Sequence, residues 1–97
     1  MQLYAILRRN GWSSAEELQT AAARSGQVGD DMPEDVRWIR SYVLSEGSGS
    51  LGTVCIYEGA SPEAIREHAT RAGLPADEII PIVDTVIIRP DPVAATA

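Results

Sequence analysis

Residues 51–77 read LGTVCIYEGASPEAIREHATRAGLPAD, and this stretch decides the fold. From Leu51 to Glu58 the side chains alternate, with Val54, Ile56 and Glu58 on one side and Thr53, Cys55 and Tyr57 on the other. That period of two is a strand. Ser61-Pro62-Glu63 then opens a helix: the serine can accept a hydrogen bond from an orphan N–H, and proline suits the first helical position. Ala64, Ile65, Ala69 and Ala72 form its apolar stripe, with His68 at the border. Arg71 suits the negative end of the helix dipole, Gly73 is the expected left-handed stop, and Pro75 prevents continuation.

Working outward, Asp35–Glu46 alternates as a second strand, joined to the first through the flexible turn Gly47-Ser48-Gly49-Ser50 to make a hairpin. Gln2–Arg9 alternates as an N-terminal strand. Ser13 or Ser14 caps a helix whose stripe is Leu18, Ala21, Ala22 and then Ala23 or Ser25, with Gly26 as its stop and 27–33 as a loop. Glu78–Arg89 is the last strand; Pro81 lacks a ladder donor and puts it at an edge or a bulge. The order β-α-β-β-α-β gives an α+β, ferredoxin-like sandwich: one antiparallel sheet with two helices on one face.

Alternation then assigns faces. Leu3, Ala5, Leu7, Ile39, Val43, Val54 and Ile56 are expected against the helices. Tyr4, Ile6, Arg8, Trp38, Arg40, Tyr42, Cys55 and Tyr57 are expected on the open face. A bare face so rich in aromatics calls for a second copy or a ligand. Arg8 and Arg40 on it need an anion, a carbonyl or an aromatic partner; Glu46, Glu58 or an acidic ligand are the options for Arg40.

The 97 residues suit one domain, read as 1–90 with a flexible C-terminal tail at 91–97. A net charge of −6 argues against nucleic acid, which needs a basic footprint. All eight basic residues are arginine, so no lysine Schiff base is available. The lone Cys55 excludes an intramolecular disulfide. No apolar run suits a membrane span, and the first charges follow the apolar residues rather than precede them, so the chain reads as cytoplasmic. No phosphate loop, zinc spacing or Ser-His-Asp context occurs, and the acidic pairs Asp30-Asp31 and Glu34-Asp35 read as a solvated loop.

CIYEGASPEAIREHATRAGLPADEI, preceded by WIRSYV, resembles a family of small, mostly bacterial proteins whose best-known members are actinobacterial nickel-binding proteins. The most specific block is YE-x-x-x-x-EAIREHA-x-RAG-x-PAD, and the match runs from LYAILRRN to TVIIRP. The resemblance implies a ferredoxin-like fold and a homodimer of the α+β-barrel kind. Its nickel-binding members are richer in histidine near the first strand and after the second helix. Here those places hold Arg8-Arg9-Asn10 and Leu74, so no metal ligand is assigned, no cofactor is expected, and nickel is inherited only as a possibility of the family.

Three functions follow. The first is a small-ligand-binding or accessory homodimer, with Tyr4, Arg8, Trp38, Arg40, Tyr42, Tyr57 and His68 lining a pocket on the sheet face for a small organic or anionic molecule. The second is a barrel-type enzyme, an isomerase or cofactor-free oxygenase, with His68 as the candidate catalytic proton carrier. The third is a nickel-binding protein.

Overall fold

The computed structural model describes residues 1–92; the other five residues of the expected tail lie outside the described residues. The elements are β1 (Gln2–Trp12), α1 (Ala15–Asp30), β2 (Val36–Ser45), β3 (Leu51–Gly59), α2 (Pro62–Ala72) and β4 (Glu78–Pro81). The strands lie in the order β2-β3-β1-β4, every pairing antiparallel. Both helices cover one face, which is the ferredoxin-like arrangement. No helix among the described residues is long and apolar enough to cross a membrane.

Helix α2 forms as its sequence dictates. Ser61 Oγ accepts from the Ala64 N–H at 3.1 Å, Pro62 takes the first turn, and Gly73 closes the helix at φ 68°. Ile65 is fully buried, a side chain worth roughly 1.5–3 kcal/mol of transfer energy. It packs directly on Gly59, where any Cβ would stand 2.7 Å from Ile65 Cδ1.

Helix α1 runs past Gly26 instead of stopping there. Ser14 is its N-cap, accepting from the Glu17 N–H at 3.2 Å, and the helix ends at Asp30, with Asp31 as its C-cap two residues before Pro33. Each glycine inside a helix costs about 1 kcal/mol against alanine. The extra turn offsets this by packing Val28 against the core.

The faces are the reverse of those expected. Tyr4, Ile6 and Arg8 of β1 and Cys55 and Tyr57 of β3 are buried beneath the helices, while Leu3, Ala5 and Leu7 turn to the open side. The helices bring mostly small residues to the sheet, so the sheet must fill the interior with its bulkier side. Tyr4, Ile6, Met32, Val36, Cys55, Tyr57 and Ile65 make that core.

Strand β2 does not keep one alternation. Trp38 pairs with Tyr57, but the next pair is Arg40 with Ile56, so Ile39 is an extra residue. This bulge changes the parity of all that follows. Trp38, Ser41 and Val43 lie on the helix side; Arg40 and Tyr42 lie on the open side, apart from the other residues expected beside them. A second irregularity, between Arg8 and Trp12 of β1, carries that strand beyond the expected end at Arg9 through Asn10-Gly11 and turns Trp12 inward.

Strand β4 is four residues long, not the twelve expected. It is an edge strand, as Pro81 requires, and one further bond follows it, from the Ile82 N–H to the Leu3 carbonyl at 2.9 Å. The chain then crosses the open face as far as Asp91, whose carboxylate accepts from Arg40 Nη1 at 2.7 Å and from Tyr42 Oη at 2.9 Å. The partner of Arg40 is thus Asp91. Glu46 pairs with Arg9 and Glu58 with Arg37.

Candidate functional site

The helix side of the sheet is not filled everywhere. Leu18, Ala21, Ala22 and Ser25 follow one another down the inner face of α1, and the two alanines are too short to reach the strands. Between them and the sheet lies a cavity of about 190 Å³. Its floor is Thr53, Cys55 and Tyr57 of β3, with Arg8 of β1; its sides are Trp38, Ser41 and Val43 of β2; Trp12 and Leu74 complete the lining of what is a half-open cavity. Both tryptophans of the chain therefore line it.

The polar groups on its walls are mostly engaged. Trp38 Nε1 donates to Ser41 Oγ at 2.8 Å, and Cys55 Sγ donates to Thr53 Oγ1 at 3.4 Å. Ser25 Oγ and Tyr57 Oη share a hydrogen bond of 3.0 Å. Trp38 stacks on Tyr57, ring planes 6° apart and centroids 5.9 Å apart.

Arg8 differs. The residue is 1% exposed, yet its Nε and Nη2 have no hydrogen-bond partner. Its guanidinium makes no salt bridge with any carboxylate among the described residues, although the chain carries fourteen Asp and Glu. A buried cation without a counter-charge is rare, because desolvation costs several kcal/mol that nothing returns.

His68 is buried behind Tyr57, the two rings 5.3 Å apart, and does not itself line the cavity. Its Nε2 lies 3.0 Å from the Ser25 carbonyl, which fixes that nitrogen as the N–H of the neutral ring. Nδ1 is left as a buried acceptor with no partner. Burial holds the imidazole pKa below its usual value; the Ser25 carbonyl opposes this, and the charges of Arg8 and Arg71 add to it. Burial likewise raises the Tyr57 phenol.

Of the residues proposed from sequence, Arg8, Trp38 and Tyr57 meet at the cavity, with His68 one layer behind. Tyr4 is core. Arg40 and Tyr42 stand on the opposite face, beside a solvent-open groove of about 840 Å³ under residues 82–91. The cavity is thus between sheet and helices, not on the open sheet face. Sequence reasoning missed Trp12, Ser41 and Thr53 as wall residues. The α1 stripe of small side chains was the available signal that room exists there.

A metal centre needs several converging donors. Among the described residues no three His, Cys, Asp or Glu side chains converge, and the sole imidazole is already held through Nε2. These residues do not fit an imidazole-rich nickel site.

Comparison with known proteins follows the fold. The crystal structure of SCO4226 from Streptomyces coelicolor A3(2) superposes with a TM-score of 0.69 at 25% identity, over 87% of this chain and 99% of that one. No functionally curated protein matches. A family model described as nickel responsive protein, SCO4226-like, matches residues 4–82. With most of its length inside that match, the chain belongs to the SCO4226-like family of nickel responsive proteins.

Proposed function

We propose that the protein is a small-molecule-binding or accessory protein whose ligand occupies the cavity between α1 and the sheet. The carrying observation is an almost wholly apolar cavity of about 190 Å³ left between α1 and the sheet, with Trp12, Trp38 and Tyr57 among its lining residues. A cavity of this kind is a site in waiting, because apolar and aromatic walls supply burial to what enters. The test is ligand-observed NMR with a panel of single-ring compounds, charged and neutral, against the unmodified chain and Ala22→Phe, which fills the cavity from α1. Binding to the unmodified chain that is lost in the filled variant is expected. No binder at millimolar concentration, or equal binding to both proteins, overturns the reading.

The same protein acts as a homodimer in this proposal. Val83, Val86, Ile87 and Ile88 are exposed on the segment that crosses the open face, and Ile39 and Tyr42 are exposed beneath it. So much contiguous aliphatic surface favours a partner, and a second copy is the partner always present.

Nickel binding is the second reading, supported by the description of the family. His68 supplies one imidazole per protomer, so any site would draw on carboxylates or on two copies. Calorimetry with Ni²⁺ on tag-free protein decides it: saturable heat supports it, and none at millimolar metal ends it. The enzyme reading rests on His68 alone, and that ring lies outside the cavity wall.

A further inference from the structure

We infer that the ligand of this cavity is an uncharged molecule of one ring without hydrogen-bonding groups, admitted at the β2 edge of the sheet; the inference rests on the cavity reading above and narrows it. The surface that the cavity presents is almost wholly apolar, although Ser25, Ser41, Thr53 and Tyr57 in its lining all carry hydroxyls. The hydrogen bonds of the wall account for this. Trp38 Nε1 donates to Ser41 Oγ, Cys55 Sγ donates to Thr53 Oγ1, and the hydroxyls of Ser25 and Tyr57 bond to each other. The lining thus engages its own polar groups in pairs. Arg8 does not alter this, because its two unpartnered nitrogens are covered and offer no surface to an entrant. A charged or polar group carried inside would give up its water and find nothing in return, so the cavity selects against it.

Size and exposure fix the rest. An apolar cavity of about 150 Å³ takes up benzene. This one, at about 190 Å³, has room for a benzene ring with small apolar substituents. Its lining is graded in depth. Ala21 and Ser25 of α1 and Thr53, Cys55 and Tyr57 of β3 are all buried, whereas Trp38 is 39% and Val43 55% exposed. The two exposed residues belong to β2, the outer strand on that side of the sheet. The mouth therefore lies between β2 and α1, and the far end lies over β3.

The experiment uses p-xylene, hydroquinone and p-toluate on the full chain at neutral pH. Hydroquinone replaces both methyls of p-xylene by hydroxyls at nearly the same size, so one hydroxyl must enter the far end even when the other faces the mouth. p-Toluate replaces one methyl by a carboxylate. Both tryptophans of the chain line the cavity, so the two indole N–H signals in NMR titrations report binding and give each affinity. p-Xylene is expected to bind at least about tenfold more tightly than hydroquinone, on the order of the penalty for burying one hydroxyl without a partner, and more tightly than p-toluate. These ratios need no variant to fold. A smaller margin over hydroquinone, or p-toluate binding as tightly as p-xylene, overturns the apolar assignment while the cavity reading stands. If none of the three moves the indole signals saturably at millimolar concentration, both fall.

Discussion

Replacing Arg8 by methionine is expected to stabilise the ligand-free protein. In most interiors removal of a buried charged residue is damaging, because it strands a partner. Here no partner is recorded: Nε and Nη2 have no hydrogen bond and the guanidinium makes no salt bridge among the described residues. Methionine fills much of the same volume and adapts to irregular space. Exchanging buried ionic groups for apolar residues of similar size is often stabilising by about 1–4 kcal/mol. Taking about 2 kcal/mol, and roughly 4–8 °C per kcal/mol for a domain of this size, the melting temperature should rise by roughly 8–16 °C. Circular dichroism melts and urea midpoints, with unchanged m-value, are the measurements. A folded Arg8→Met protein that is less stable than the parent by about 1 kcal/mol or more would refute the reasoning. It would mean that the guanidinium already satisfies its donors in the free protein.

Three more outcomes are expected. The His68 pKa is held down by burial, so the folded ring stays neutral while the unfolded one, with an ordinary value of 6.5, takes up a proton. Stability is therefore complete above that value and is lost as pH falls from it towards the depressed folded value; His68→Gln, which keeps a donor for Ser25, should flatten urea midpoints measured across that window. Gly59→Ala should cost about 1–3 kcal/mol by urea unfolding, since the new methyl meets Ile65 Cδ1 at 2.7 Å and the helix must retreat; an unchanged midpoint would show that α2 yields freely. Ile87→Asp should convert dimer to monomer in native mass spectrometry without lowering the melting temperature of the monomer; a parent chain that is monomeric at micromolar concentration removes the dimer from the proposal.

The stretch 51–77 was legible almost residue by residue. Its helix begins at the cap and proline that mark it and ends at the glycine that marks it, because those signals are local. Element order was legible for the same reason. What sequence did not show was which side of the sheet the helices take. Both sides of β1 are apolar, Leu3-Ala5-Leu7 against Tyr4-Ile6, and alternation carries no sign. Volume decides it, and volume depends on helix residues far away in sequence. The bulge at Ile39 was equally hidden, since Arg37-Trp38-Ile39-Arg40 alternates as well with the extra residue as without it. Hence Arg8, Trp38 and Tyr57 do share a side of the sheet, while Arg40 and Tyr42 were placed with them on the strength of a parity that the backbone breaks. Gly26 misled because a helix-ending residue was judged without the core contact of Val28 beyond it.

Ile39 carries a last consequence. Its side chain is partly exposed at 38%, and chemically many residues would serve in its place. Its importance lies in being left out of the ladder. With it bulged, Trp38 belongs to the cavity and Arg40 to the opposite side, where Asp91 meets it. Were it paired in a regular ladder instead, every later residue of the strand would change compartment, sending an arginine and a tyrosine inward and a serine and a valine out. Delete it, and Trp38 and Arg40 become neighbours on an unbroken strand with the same partners and the same sides, so position 39 is a place where the chain should tolerate not only substitution but loss.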